Sequence, residues 1–181
     1  MKRKYSHELK VMINPRLGRG EKFWPAHRIA VLIQQTWQRH ASEIWIVAGS
    51  SDQDYVKQIL DLTGHINLKV IELLQLEELV AVLKTCSLFI GVDTGTTRLA
   101  ISLGVPAVVL FGPTQPSEWY LTMNGVEVLN KRLSCSPCSP QRRLSCRTRQ
   151  CLADISPEDV LHGISNLKEI LRGGTRIRTG E

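Results

Sequence analysis

The residues best suited to chemistry form one polar cluster, Asp93-Thr94-Gly95-Thr96-Thr97, directly after an apolar run from Leu88 to Val92. Such a cluster favours a sharp turn and a helix N-cap. Backbone amides at the start of a helix point along the helix dipole and attract anions. The cluster therefore predicts a site for phosphate or another anion.

The elements around the cluster predict how it is positioned. The run 88–92 is typical of a buried parallel strand, residues 98–103 carry apolar side chains at helical spacing, and 106–111 form a second buried strand. Two strand ends and one helix N-terminus then meet at one edge of a sheet. Open α/β sheets bind their ligands at this edge.

The rest of the chain alternates between strands and helices. Further strands are predicted at 9–14, 43–48, 67–71 and 126–129, and further helices at 24–40, 53–62, 76–85 and 156–171. Ser51 and Asp54 predict a capping box for the helix at 53–62. The alternation indicates the α/β class, a Rossmann-like parallel sheet with helices on both faces. We expect one domain at 1–171, including a Cys-rich basic loop at 133–153, and a disordered Gly- and Arg-rich tail at 172–181.

The composition of the 181 residues, 43% hydrophobic and 22% charged, is that of a soluble globular protein. No apolar run is long enough to span a bilayer, and the basic start has no apolar core of a signal peptide. A cytoplasmic location is therefore expected.

The basic residues are unevenly distributed, because residues 131–151 contain no acid. The basic residues of this segment are Lys131, Arg132, Arg142, Arg143, Arg147 and Arg149. Such a patch fits nucleic acid, a phosphorylated lipid or an acidic partner, and a solvated basic loop is the alternative.

Four cysteines fall in or next to the same segment: Cys135, Cys138, Cys146 and Cys151. Their spacing is compatible with a structural zinc ion, with a disulfide or with free thiols. Cys86, outside this group, is expected to fill the core.

The triplet Asp93-Thr94-Gly95 occurs in two other classes of protein. Aspartic proteases carry it on a catalytic turn, but they are all-β proteins, whereas a helix pattern follows here. Actin-like ATPases and sugar kinases place a similar motif at the start of a domain, before antiparallel strands. The context of this triplet fits neither class.

A larger set of motifs, in order over about 150 residues, resembles glycosyltransferase family 9, the bacterial heptosyltransferases of lipopolysaccharide core assembly. These motifs are Lys22-Phe23-Trp24-Pro25, Leu76-Glu77-Glu78-Leu79, Asp93-Thr94-Gly95 with Leu99-Ala100, Leu103-Gly104-Val105-Pro106, and Leu110-Phe111-Gly112-Pro113-Thr114 with Trp119.

The resemblance implies the C-terminal, donor-binding half of a GT-B glycosyltransferase. The implied reaction transfers a heptose from a nucleotide-diphosphate sugar, ADP-heptose, to a lipid-linked lipopolysaccharide core acceptor with inversion and without a metal cofactor. The N-terminal domain of the family, which binds the acceptor and supplies the base, has no counterpart in this sequence. We therefore expect no catalytic residue here, an inactive isolated half, peripheral contact with the inner membrane and no nucleic-acid partner. A non-catalytic nucleotide or nucleotide-sugar binding module is the alternative.

The resemblance also implies the donor-binding residues, which are Lys22, Asp93, Thr94, Gly95, Thr96, Thr97 and Arg98. Lys22 would contact phosphate, with Arg16 and Arg19 assisting. Asp93 would accept hydrogen bonds from sugar hydroxyls, cap the following helix, or both. Arg98 stands where the family commonly has histidine, and it keeps a positive charge but cannot exchange a proton near neutral pH.

Overall fold

The computed structural model of the chain describes residues 9–17, 22–39, 41–64, 66, 68–72, 75–116, 120 and 123–172. The strands are, in chain order, β1 (Leu9–Asn14), β2 (Arg16–Leu17), β3 (Lys22–Phe23), β4 (Ala41–Ala48), β5 (Leu68–Glu72), β6 (Leu88–Val92), β7 (Ala107–Phe111) and β8 (Val126–Asn130). Six of them form one parallel sheet in the order β5-β4-β1-β6-β7-β8, whereas β2 and β3 form a short antiparallel hairpin.

Helices connect the strands of the sheet and cover its faces. They are α1 (Ala26–Arg39), α2 (Gln53–Thr63), α3 (Leu76–Leu83), α4 (Gly95–Ser102), α5 (Pro140–Ser145), α6 (Gln150–Ala153) and α7 (Pro157–Arg172). None of the helices within the described ranges is both long and apolar enough to cross a bilayer.

The side chains of the central strands alternate between the two faces of the sheet. On β1, Val11 and Ile13 enter one core, while Met12 enters the other. Helices α1, α2 and α7 close the first core, and α3 and α4 close the second. The sheet is therefore buried on both sides, as parallel sheets are. The predicted Rossmann-like α/β class is confirmed.

The order of the strands reverses between β1 and β6. The chain runs outward from β1 through β4 to β5, then returns to β6 on the other side of β1 and continues to β8. Such a reversal opens a crevice at the carboxyl ends of the two strands. Asn14 ends β1 and Asp93 follows β6, so both residues lie at this crevice.

The strands that flank the crevice have the predicted bounds, but the start of α2 differs from the prediction. A single 3-10 turn at Ser50–Asp52 precedes α2, and the Gly49 amide donates to Asp52 Oδ2 at 3.1 Å. The expected capping box of Ser51 and Asp54 is wrong, because the buried Asp52 carboxylate closes the box two residues earlier.

The Cys-rich segment at 133–153 was expected to be a loop, and this is also wrong, since it contains α5 and α6. Ser139 caps α5 by accepting a hydrogen bond from the Arg142 amide at 3.3 Å, and Pro140 occupies the first turn. Proline at this position is favourable because its missing amide would have no partner there.

Two segments are described only in part. The segment 16–22, which carries Arg16, Arg19 and Lys22, contains the β2–β3 hairpin, in which Leu17 pairs with Lys22, and residues 18–21 lie outside the described residues. Arg172 ends α7, and residues 173–181 of the expected tail also lie outside them. The domain boundary at 171 therefore stays a prediction.

The loop after β7 is packed tightly against α6. A Cβ atom on Gly112 would lie 2.9 Å from Cδ1 of Leu152 and closer still to Cγ of that side chain, which is only 1% exposed. No residue larger than glycine fits there unless the Leu152 side chain or α6 shifts.

We predict that Gly112→Ala lowers the free energy of unfolding by about 1–3 kcal/mol, the usual cost of overpacking a core. Urea denaturation followed by circular dichroism measures this change. Gly95→Ala is the matched control, because nothing lies within 4 Å of the point that its added Cβ atom would occupy. Equal stability of the two variants would contradict the packing described here.

Candidate functional site

Two threonines build the turn between β6 and α4. Thr94 is the N-cap of α4, and its Oγ1 accepts a hydrogen bond from the Thr97 amide at 3.1 Å. The Thr97 hydroxyl donates to the Val92 carbonyl oxygen at 2.5 Å and lies 3.0 Å from Thr94 Oγ1. Both side chains are buried, so they shape the start of α4 from inside.

The first turn of α4 faces the crevice edge with its backbone. Arg98 donates its amide to the Thr94 carbonyl oxygen at 3.1 Å, which is the first intrahelical bond. The amides of Gly95 and Thr96 precede this bond, and helix geometry gives them no acceptor within the helix. Gly95 is exposed and Thr96 is half-buried. These amides are therefore the groups of α4 that can meet an anion.

Asp93 does not cap α4, so the expectation that it could is wrong. Asp93 is only 6% exposed, and its carboxylate meets the side chains of Thr114, Tyr120 and Arg98 instead. Oδ2 accepts a hydrogen bond from the Thr114 hydroxyl at 3.0 Å, and Oδ1 accepts one from the Tyr120 hydroxyl at 3.2 Å. The guanidinium of Arg98, 63% exposed, reaches Oδ1 at the longer distance of 3.4 Å.

Tyr120 joins this network to the core. Its ring is 1% exposed and meets the ring of Phe111 edge-on, with the centroids 5.0 Å apart. The Arg98 guanidinium lies 5.7 Å from the centroid of the Tyr120 ring. Burial and the neighbouring charge of Asp93 raise the pKa of Tyr120 to about 12. The interactions of Arg98 with Tyr120 and Asp93 raise the pKa of its guanidinium, so Arg98 stays a cation at every physiological pH.

Asn14 lies on the other side of the crevice, at the end of β1. It is 7% exposed, and its Oδ1 has no hydrogen-bond partner among the described residues. Asn14 is paired in register with Gly91 of β6. A Cβ on Gly91 would lie 3.0 Å from the Asn14 carbonyl oxygen and 3.1 Å from Thr97 Oγ1. Glycine therefore permits the close approach of β1, β6 and α4 at this point.

The structure describes the predicted phosphate-binding cations Lys22, Arg16 and Arg19 only in part. The backbone of Lys22 lies in β3 of the hairpin, and β2 contacts β6. The side chains of Lys22 and Arg16, and the whole of Arg19, lie outside the described part of the chain. The approach of these cations to the α4 turn stays a prediction.

Sequence patterns alone did not single out Asn14, Thr114 or Tyr120 as site residues. Thr114 ends one of the motifs quoted above, and Asn14 ends an apolar strand, so position at a strand end was the available signal. Tyr120 offered no such signal, because its hydroxyl binds Asp93 across 27 residues of sequence and no local pattern indicates that contact.

The cysteines of the 133–153 segment are free thiols. Within the described ranges, no three or more Cys, His, Asp or Glu side chains are arranged to hold a metal ion. Hydrogen bonding from the Arg149 backbone lowers the pKa of Cys146. Burial raises the pKa of Cys151, and it raises the pKa of Cys86 to about 11.

A parallel sheet with helices on both faces and a helix start at its switch point places the chain in the Rossmann-like α/β class, whose ligands bind at that point. The model of glycosyltransferase family 9 (heptosyltransferase) matches residues 2–149. This chain belongs to glycosyltransferase family 9, and the resemblance found in its motifs is confirmed.

Individual relatives agree with the family. Lipooligosaccharide heptosyltransferase 2 of Campylobacter jejuni is 29% identical over 162 residues, which cover 86% of this chain and 50% of that protein. A family 9 glycosyl transferase from Veillonella parvula has the same fold, with a TM-score of 0.76, 24% identity and coverage of 91% and 46%. An E. coli heptosyltransferase solved with ADP-2-deoxy-2-fluoro heptose gives a TM-score of 0.65, 19% identity and coverage of 88% and 43%. The chain spans about half the length of the curated relatives it matches.

We predict that Tyr120→Phe lowers the free energy of unfolding near neutral pH by about 1–3 kcal/mol, because a buried carboxylate loses a hydrogen bond. The variant also changes the response to alkali. An unfolded tyrosine titrates near pH 10, whereas the pKa of Tyr120 in the fold is about 12. The contribution of the phenol is therefore complete below about pH 10 and is lost as the pH rises towards 12.

Urea denaturation at pH 8 and at pH 11 measures both effects. Thr114→Val is the matched control, since it removes another hydrogen bond to Asp93 but keeps the phenol. The control should retain the alkaline loss of stability, and Tyr120→Phe should show less of it. An unchanged alkaline loss in Tyr120→Phe would refute this assignment.

We also predict that Cys146 reacts with iodoacetamide at pH 7.5 faster than Cys86. The thiolate is the reacting form, and the two pKa values are shifted in opposite directions. Mass spectrometry of digests taken over time gives both rates. A faster reaction at Cys86 would contradict the prediction.

Proposed function

We propose that this chain is the donor-binding part of a heptosyltransferase that transfers a heptose from ADP-heptose to a lipopolysaccharide core acceptor, with inversion. One observation carries the proposal. The start of α4 and the buried Asp93 carboxylate lie side by side at the switch point of the sheet. The names of the relatives and the ADP-heptose analogue in the related E. coli structure support the choice of donor.

The amides of Gly95 and Thr96 would bind the diphosphate of the donor. Negative charge builds on the leaving diphosphate as the bond to the sugar breaks, and a helix start stabilises such charge. Thr94 and Thr97 would keep the turn in shape, because their hydroxyls already bond to each other and to the backbone. No metal ion is required in this proposal.

Arg98 would add a permanent charge to the same site. Its side chain is mostly exposed, and its contact with Asp93, at 3.4 Å, is longer than the hydrogen bonds from Thr114 and Tyr120. A guanidinium has five N–H donors, so this contact leaves others for a phosphate oxygen. We propose that a hydroxyl of the donor sugar takes the place of Arg98 at Asp93 and that Arg98 turns towards the diphosphate. It would act as a fixed cation and not as an acid, in contrast to a histidine.

The remaining parts of the reaction would come from elsewhere. We assign the catalytic base and the main acceptor site to the half of the relatives that this chain does not match. In this proposal the isolated chain binds donor without transferring it, and it works at the cytoplasmic face of the inner membrane. Transfer is expected when a matching acceptor-binding half is added.

We predict that the chain binds ADP and ADP-heptose in calorimetric titrations, equally well with EDTA or Mg²⁺. Lys22→Ala should weaken ADP binding about tenfold or more, the usual effect of losing a charge-assisted hydrogen bond. Lys57→Ala, an exposed lysine on α2, is the matched control and should leave binding unchanged.

Absence of binding to ADP, ADP-heptose and UDP-sugars would end the donor-site proposal. Equal losses in the two lysine variants would show that Lys22 has no specific role. Binding without transfer, even with an added acceptor half, would identify a nucleotide-sugar binding module.

A further inference from the structure

A cavity opens at the same edge of the sheet as the proposed donor site, but near β7 and β8 instead of between β1 and β6. Its volume is about 410 Å³, within the range of small-molecule sites. The residues that line it include Gln115, Pro116, Asn130, Arg132, Ser136 and Pro137.

The cavity is next to the Asp93 network and separate from the switch point. Gln115 and Pro116 directly follow Thr114, the residue that donates to Asp93. Asn130 ends β8, where it is paired with Phe111 of β7. The cavity thus lies at the ends of β7 and β8, whereas the crevice lies between β1 and β6. Adjacent strands are about 4.8 Å apart, so β8 is about 10 Å from β6.

The lining has the chemistry of an anion site. Arg132 is exposed and forms no ion pair with any described residue. None of the described residues that line the cavity with it is acidic. The neighbouring Lys131 differs, because it is paired with Asp159 at 2.7 Å. An arginine fork binds the oxygens of a carboxylate or a phosphate in pairs.

The backbone at Arg132 is held in a rare conformation. Its φ is +48°, in the left-handed region, and its amide donates to Asn130 Oδ1 at 2.6 Å. This bond occupies the oxygen of the Asn130 side chain and leaves its NH₂ group as a donor. Left-handed backbone at a residue other than glycine is found disproportionately at ligand sites.

The walls fit a sugar ring. Pro116 and Pro137 supply apolar surface, while Gln115 and Asn130 supply amides for hydroxyl groups. The Ser136 hydroxyl donates to the Gly112 carbonyl oxygen at 2.5 Å, which fixes this wall to the end of β7. Apolar walls, amides and one cation together suit a sugar that carries an acidic group.

We infer that the β7–β8 cavity is a second ligand subsite, which binds a saccharide bearing a carboxylate or a phosphate through Arg132. The use of this subsite for an acceptor sugar beside the donor heptose rests on the function proposed above. The existence of the subsite is independent of that function.

The test uses the full chain, with glucuronate, glucose 6-phosphate and neutral glucose as probes. Amide chemical shifts are followed in ¹⁵N spectra, and dissociation constants are taken from the titrations. We expect an acidic sugar to shift the amides of Gln115 and Arg132 and to bind at least tenfold more tightly than glucose. The two acidic probes distinguish a carboxylate from a phosphate as the preferred group.

Arg132→Asn should weaken binding of the acidic sugar at least tenfold, and asparagine tolerates the left-handed backbone at this position. Arg142→Asn is the matched control, because Arg142 is an exposed arginine of the same basic segment outside the cavity lining. It should leave the affinity unchanged. Saturating ADP should shift the amides of Gly95 and Thr96 without displacing the sugar.

Four results would overturn the inference: no binding of either acidic sugar, equal affinity for glucose, equal losses in the two arginine variants, or displacement by ADP. Failure of the donor proposal looks different, because the acidic sugar would still bind while ADP would not. The wild-type shift map decides the case even if Arg132→Asn does not fold.

Discussion

The burial of the Asp93 carboxylate is the constraint on which the arrangement of the site depends. A charge removed from water is tolerated only when other groups replace its hydration. Thr114, Tyr120 and Arg98 do so from three separate parts of the chain. Satisfying this one side chain therefore fixes Thr114 in the loop after β7, Tyr120 and the first turn of α4 relative to each other.

The same requirement explains why the turn after β6 has two neighbouring polar residues with different tasks. Thr94 satisfies the backbone of α4, which leaves the aspartate to point elsewhere. The threonine pair is buried beneath the turn, while the amides of Gly95 and Thr96 stay at its surface. A helix start that is supported from inside can keep its shape whether or not an anion is bound, which is the arrangement that electrostatic stabilisation of a leaving group requires.

Local patterns predicted the parts of this structure that depend on local physics. The strands at 9–14 and 88–92 have the expected bounds because both are short, mainly apolar runs that end where turn residues begin. The choice between Asp93 and Thr94 as helix cap could not be predicted, since both residues are good caps. It is decided by partners 21 and 27 residues away. The helix at Pro140–Ser145 is a different case, because Ser139-Pro140 is a local helix start signal. The basic and cysteine-rich composition of the segment favoured a loop instead.

Residues from the last third of the chain hold the second strand of the β2–β3 hairpin in place. The Arg149 guanidinium lies 4.8 Å from the centroid of the Phe23 ring, and Trp24 donates its indole N–H to the Ile155 carbonyl oxygen at 2.9 Å. The two residues that follow Lys22 are thus held by the last third of the chain. A ligand that binds beside Phe23 and Trp24 would meet residues that are already held in place, so less conformational entropy would be lost on binding. If Lys22 contacts a ligand as proposed, the segment at 149–155 would raise its affinity through preorganisation, although nothing in that segment needs to touch the ligand.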